Sequence, residues 1–68
     1  MSTLVTRPNI DDPDSFYAQL LATHDGLSPQ DSAALNARLI LLLANHIGDR
    51  EVLSDALHAA AIAARPRG

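Results

Sequence analysis

The most hydrophobic segment of this chain is an unbroken apolar run from Leu39 to Ala44. Six consecutive apolar positions on a helix point in every direction around its axis, so that no side is left for water. In a chain of only 68 residues, such a helix must be either surrounded by the rest of the protein or covered by a partner. The run therefore indicates an association surface rather than a catalytic motif.

Start and stop signals around this run predict three helices. An aspartate cap and a proline at the first helical position begin helix one, and glycines that can close a helix C-terminus end helices one and two. Helix two also carries a variant capping box, with a serine cap followed three residues later by aspartate. The predicted starts are Asp12-Pro13-Asp14, Ser28 and Asp49-Arg50-Glu51, and the predicted ends are His24, Ile47 and the residues before Arg65-Pro66.

These elements predict an all-α protein. Short connections favour a three-helix antiparallel bundle or a helical hairpin with a third packed helix, and we expect it to be oligomeric because so small a chain buries little surface alone. We expect residues 1–11 to form a flexible N-terminal arm, residues 12–65 a single helical domain, and residues 66–68 a C-terminal tail.

Composition excludes several functions. The net charge of -3 opposes the counterion release that drives nucleic-acid binding, so we expect no nucleic-acid partner. All five basic residues are arginines and there is no cysteine, which removes Schiff-base chemistry at lysine, disulfides and thiolate zinc sites. Without an apolar segment of membrane-spanning length or a signal-peptide pattern, the expected location is the cytoplasm, with no membrane partner.

Helix two has three apolar seams on a helical wheel, but helices one and three each offer only one apolar face. We therefore expect two seams to be covered and the third, formed by Ala37, Leu41 and Ala44, to stay open for a partner, flanked by Arg38 and Asn45. The predicted partner-binding residues are Phe16, Tyr17, Ala37, Arg38, Leu41, Ala44, Asn45 and His46.

Two alternatives stay open for this helix. The other helices could cover it adequately, leaving single leucines exposed as ordinary surface residues. Arg38 and Asn45 lie seven residues apart and therefore nearly on one line, where they either fix the register against a partner or form a solvent face, with Arg38 paired to Asp31 or a neighbouring acid.

Candidate chemistry is weak throughout. His24, His46 and His58 suggest a metal site, but no two of them have ligand spacing on one helix, so we assign no metal, cofactor or catalytic residue. We expect no enzyme activity from the chain alone, because so small a helical unit has little volume for a pocket. A small-molecule or metal-binding module with its site at an oligomer interface is the alternative function.

The segment Asn36-Ala37-Arg38, the leucine run and Asn45-His46-Ile47-Gly48-Asp49 resemble a family of very small bacterial proteins catalogued as a domain of unknown function. The resemblance covers roughly residues 10–60 and implies an accessory protein rather than a catalyst. It also implies an association with flavin-dependent aromatic hydroxylases. It assigns no functional residue, so the function expected is that of a protein-protein interaction module, self-associating or acting as an accessory subunit of a larger enzyme.

Overall fold

The computed structural model describes residues 3–65 and contains three α-helices in this range. They are α1 (Pro13–His24), α2 (Pro29–Ile47) and α3 (Arg50–Ala63). The described residues contain no strand, so the predicted all-α class is confirmed. Each boundary lies within two residues of the one predicted from the caps and glycines.

Side-chain caps fix where each helix begins. The Ser28 hydroxyl accepts a hydrogen bond from the Asp31 backbone N–H at 3.1 Å, and Asp49 Oδ1 accepts from the backbone N–H groups of Glu51 and Val52 at 3.0 and 3.1 Å. These bonds satisfy amides that have no partner within their own helix. The predicted starts of α2 and α3 therefore have a direct structural cause.

The start of α1 departs from the usual cap geometry. Asp12 has φ of 52°, in the left-handed region, where an aspartate is tolerated better than most residues. Its carboxylate accepts from the Ser15 backbone N–H at 3.3 Å and from the Ser15 hydroxyl at 2.7 Å. These two bonds compensate for part of the cost of the backbone conformation.

Glycine ends α2 for a conformational reason. Gly48 has φ of 69° and its N–H donates to the Ala44 carbonyl oxygen, which is the left-handed closure that glycine adopts without a steric penalty. Gly26, after α1, has φ of 80°. Both predicted stops are confirmed.

The three helices do not enclose a core. No described side chain is buried, and the chain exposes 6241 Å², against about 4100 Å² for a folded monomer of this mass. Its radius of gyration is 13.9 Å, compared with about 11 Å for a compact domain of this length. Packing as an antiparallel bundle, or as a hairpin with a third packed helix, therefore stays a prediction.

The expectation that two seams of α2 would be covered within the chain is wrong. Leu35 and Leu39 are half-buried, but Leu42 on the same seam is 69% exposed. The other seams are exposed as well, at Ile40 (61%) and Leu41 (69%). No two helices in the described range make extended contact, so neither α1 nor α3 lies along the length of α2.

Residues 3–11 form neither helix nor strand, and the predicted flexibility of the arm stays a prediction. The predicted tail, residues 66–68, lies outside the described residues. Within the described part of the chain, no helix is both long enough and apolar enough to cross a membrane.

Candidate functional site

Two adjoining grooves run along one side of α2. The N-terminal groove has a volume of about 440 Å³ and is lined by Leu27, Asp31, Ala34, Leu35, Arg38, Leu39 and Leu42. The C-terminal groove, of about 410 Å³, is lined by Arg38, Leu41, Leu42 and Asn45. Arg38 and Leu42 belong to both, so the two grooves form one continuous surface.

Helical periodicity places these residues together. Asp31, Arg38 and Asn45 recur every seven residues, or nearly two full turns, and residues at three- and four-residue spacing fill the gaps between them on the same face. The surface is therefore an alternation of leucine or alanine with a polar group. Such a seven-residue repeat is the pattern by which one helix packs along another.

The charged groups of this surface have no partner among residues 3–65. Ser28 caps the Asp31 backbone, but the Asp31 carboxylate makes no return hydrogen bond, and Arg38 makes no hydrogen bond or ion pair to any residue in the described part of the chain. The predicted pairing of Arg38 with Asp31 is therefore not formed within the chain. Both side chains are exposed, so their charges are available to another molecule.

His24 links α1 to α2 on a different side of the helix. Its Nε2 lies 2.8 Å from Asn36 Oδ1, and its Nδ1 lies 2.9 Å from the Leu20 carbonyl oxygen. Since a carbonyl oxygen only accepts hydrogen bonds, Nδ1 carries a proton. If the ring is neutral, Nε2 is an acceptor and the Asn36 amide must turn its NH₂ group toward it. If the ring is an imidazolium, Nε2 donates to Asn36 Oδ1. The asparagine can serve either protonation state by rotation of its amide.

This link gives Asn36 and Asn45 different roles. Asn36 is engaged within the chain by His24, whereas Asn45 lines the C-terminal groove and has no hydrogen-bond partner for its side chain among residues 3–65. A buried amide must find a partner. Of the two asparagines of α2, Asn45 is therefore the one available to a binding partner.

The structure brings together three of the eight predicted partner-binding residues. Arg38, Leu41 and Asn45 line the C-terminal groove side by side. Phe16 and Tyr17 are exposed by 44% and 60% on α1 but line neither groove. The remaining three lie elsewhere on α2, two of them exposed and one half-buried: Ala37, His46 and Ala44.

Sequence reasoning missed several groove residues. Leu27, Asp31 and Leu42 are not among the eight predicted partner-binding residues, yet all three line the N-terminal groove. The seven-residue spacing of Asp31 from Arg38 was the signal that could have identified the groove. It extends the spacing of Arg38 and Asn45 by one more repeat toward the N-terminus.

The two grooves contain few groups of the kind that bind a metal. In the region that the structure describes, no three histidine, aspartate or glutamate side chains gather into a possible metal site. His24, His46 and His58 are therefore not brought together there as ligands. What the grooves combine is apolar area, one carboxylate, one guanidinium and one amide, all open to solvent.

A comparison with protein families identifies the chain. The model of the family described as "Protein of unknown function (DUF2783)" matches residues 4–62. The chain belongs to the DUF2783 family. The match covers the three helices up to Ile62 and the whole of both grooves, which confirms the resemblance to a small family of unknown function. No curated protein and no solved structure matches the chain.

Proposed function

We propose that this DUF2783 protein is a helical protein-protein interaction module that binds through the two grooves of α2. The observation that carries the proposal is that α2 exposes apolar side chains on all sides: Ile40, Leu41, Leu42, Leu43 and Ile47 are each at least half exposed. Scattered exposed leucines are normal on a soluble protein, but a contiguous apolar patch marks an interaction site.

The size of the effect supports association. Full burial of a leucine contributes about 1.5–3 kcal/mol, so covering Leu41 and Leu42, each 69% exposed, contributes about 1–2 kcal/mol per side chain. A single small core rarely supplies more than about 3–5 kcal/mol. A partner that covers both leucines of α2 would therefore stabilise the chain by a free energy comparable with the whole contribution of a small core.

The proposal has two forms. In one, α2 binds further copies of the chain; in the other, the chain is an accessory subunit of a larger enzyme, for which the family resemblance suggests a flavin-dependent aromatic hydroxylase. Sedimentation of the purified protein tests the first form, and copurification of a flavoprotein from the native host tests the second. A stable, monodisperse monomer that retains no protein from the host would overturn the proposal.

A matched pair of variants tests the assignment to α2. Leu41 and Leu57 are both 69% exposed, on α2 and α3 respectively, so Leu41→Gln and Leu57→Gln make the same chemical change at equally accessible sites. We expect Leu41→Gln to weaken association by about tenfold, equivalent to about 1.4 kcal/mol, and Leu57→Gln to weaken it less. Equal effects would contradict a binding surface centred on α2.

A further inference from the structure

The N-terminal groove has a nearly palindromic order of residues. Counted outward from the midpoint between Ala34 and Leu35, six of the seven groove residues form pairs at equal distances along the chain, and Leu39 has no counterpart. The pairs are Ala34 with Leu35, Asp31 with Arg38, and Leu27 with Leu42. The inner and outer pairs are apolar, and the middle pair consists of opposite charges. A surface of this kind is complementary to itself when it is turned end for end.

We infer that a second copy of the chain docks antiparallel on the N-terminal groove, with Asp31 of each copy facing Arg38 of the other. The inference rests on the proposed function and names its partner. A twofold interface requires that if residue i contacts residue j, then j also contacts i. The order of charges in the groove meets that requirement.

The geometry of a helix suits this arrangement. Asp31 and Arg38 are seven residues apart, or about 10.5 Å along the axis, so the two symmetric ion pairs would stand about 10.5 Å apart. Ala34 lies between them and its small side chain permits close approach of the two helices. Neither charged group has an ion-pair partner among the residues that the structure describes, so no contact between those residues has to break.

The exposed area is large enough to form an obligate dimer. Each chain exposes about 2100 Å² more than a folded monomer of its mass, part of it on the extended residues before α1. If each copy covered half of that excess, the interface would bury about 2100 Å² in total, which is the lower end of the obligate homodimer range. The dimer would thereby supply the core that one chain lacks.

A second palindrome gives a competing register. In the C-terminal groove, Arg38 pairs with Asn45 and Leu41 with Leu42 about a midpoint seven residues further along. That register places Arg38 opposite a neutral amide and carries Asp31 beyond the C-terminal end of the facing α2, at Ile47. The register centred on the N-terminal groove is favoured because it pairs both charges.

Charge reversal tests the pairing directly. In homodimers of Asp31→Arg, arginine faces Arg38, and in homodimers of Arg38→Asp, aspartate faces Asp31, so we expect each variant to dimerise at least tenfold more weakly than the parent. The double variant restores opposite charges and should regain the parent's affinity. A mixture of the two single variants should form a one-to-one heterodimer, which native mass spectrometry distinguishes by mass.

Two controls separate pairing from damage to the helix. Asp14→Arg reverses a charge in the first turn of α1 and should leave dimerisation unchanged, while circular dichroism checks that all variants keep their helix content. If either single variant does not fold by itself, coexpression of Asp31→Arg with Arg38→Asp should allow the two chains to fold together as a heterodimer. Loss of affinity in Asn45→Ala with none in Asp31→Arg would overturn the inference in favour of the competing register.

The outcomes distinguish this inference from the proposed function. A protein that self-associates but is insensitive to reversal of Asp31 and Arg38 overturns the pairing and leaves self-association through α2 intact. A monomer that binds a larger enzyme overturns the inference while supporting the accessory-subunit form. A monomer that binds nothing overturns both.

Discussion

Replacement of Leu42 by alanine distinguishes a self-sufficient chain from one that depends on a partner. Leu42 lines both grooves and is 69% exposed in the single chain. If the isolated chain were the functional unit, the substitution would remove three carbons that are mostly in water already. At about 0.8 kcal/mol per buried CH₂, the loss would be below about 1 kcal/mol, and the higher helix propensity of alanine would offset part of it.

In an assembly that covers α2, the same substitution removes a buried leucine and leaves a cavity. Leucine-to-alanine changes in closed cores cost about 2–5 kcal/mol, so we expect Leu42→Ala to lower the free energy of unfolding of the assembled protein by at least about 2 kcal/mol. Leu57→Ala is the matched control, because Leu57 has the same 69% exposure on α3. We expect it to cost less than Leu42→Ala.

Urea denaturation at several protein concentrations measures this difference. For a dimer that unfolds to separate chains, a hundredfold rise in concentration raises the apparent stability by about 2.7 kcal/mol. We expect the parent protein to show this dependence and Leu42→Ala to shift the midpoint at every concentration. If stability were independent of concentration and Leu42→Ala cost below about 1 kcal/mol, the reasoning from exposure to association would be refuted.

Three further predictions concern the fold. Gly48→Ala should destabilise the protein by about 1–2 kcal/mol, because φ of 69° is unfavourable for any residue with a Cβ. Gly48→Asn should destabilise it less, since asparagine tolerates the left-handed region. Thermal unfolding of both variants tests this order. Ser28→Ala removes the cap of α2 and should lower the free energy of unfolding by about 1 kcal/mol, as measured by urea denaturation. An unchanged free energy of unfolding would show that the cap does not stabilise the protein. Asn36→Ala removes the partner of His24 and should lower the free energy of unfolding by about 0.5–1.5 kcal/mol. It should also shift the His24 ring resonances in NMR spectra, whereas Asn45→Ala should leave them unchanged. Identical His24 resonances in both variants would contradict the link between α1 and α2.

The helices themselves are determined by local sequence. Ser28 and Asp49 each hold backbone amides within the next three residues, and Gly48 closes α2 on a carbonyl four residues earlier. Interactions of such short range depend only on neighbouring residue types, so the ends of all three helices could be predicted. The left-handed backbone of Asp12 could not, because a cap of extended conformation is the usual one for the same residue.

The sequence also determined that α2 has more apolar surface than two helices can cover. It placed Arg38 and Asn45 nearly on one line along that helix. It did not determine which seams stay open. Coverage depends on how the helices pack, and in the structure Leu42 is as open to solvent as Leu41. Only the tertiary structure showed Leu27 joining Arg38 in one groove, because the wheel of an isolated helix carries no information on the segment that precedes it.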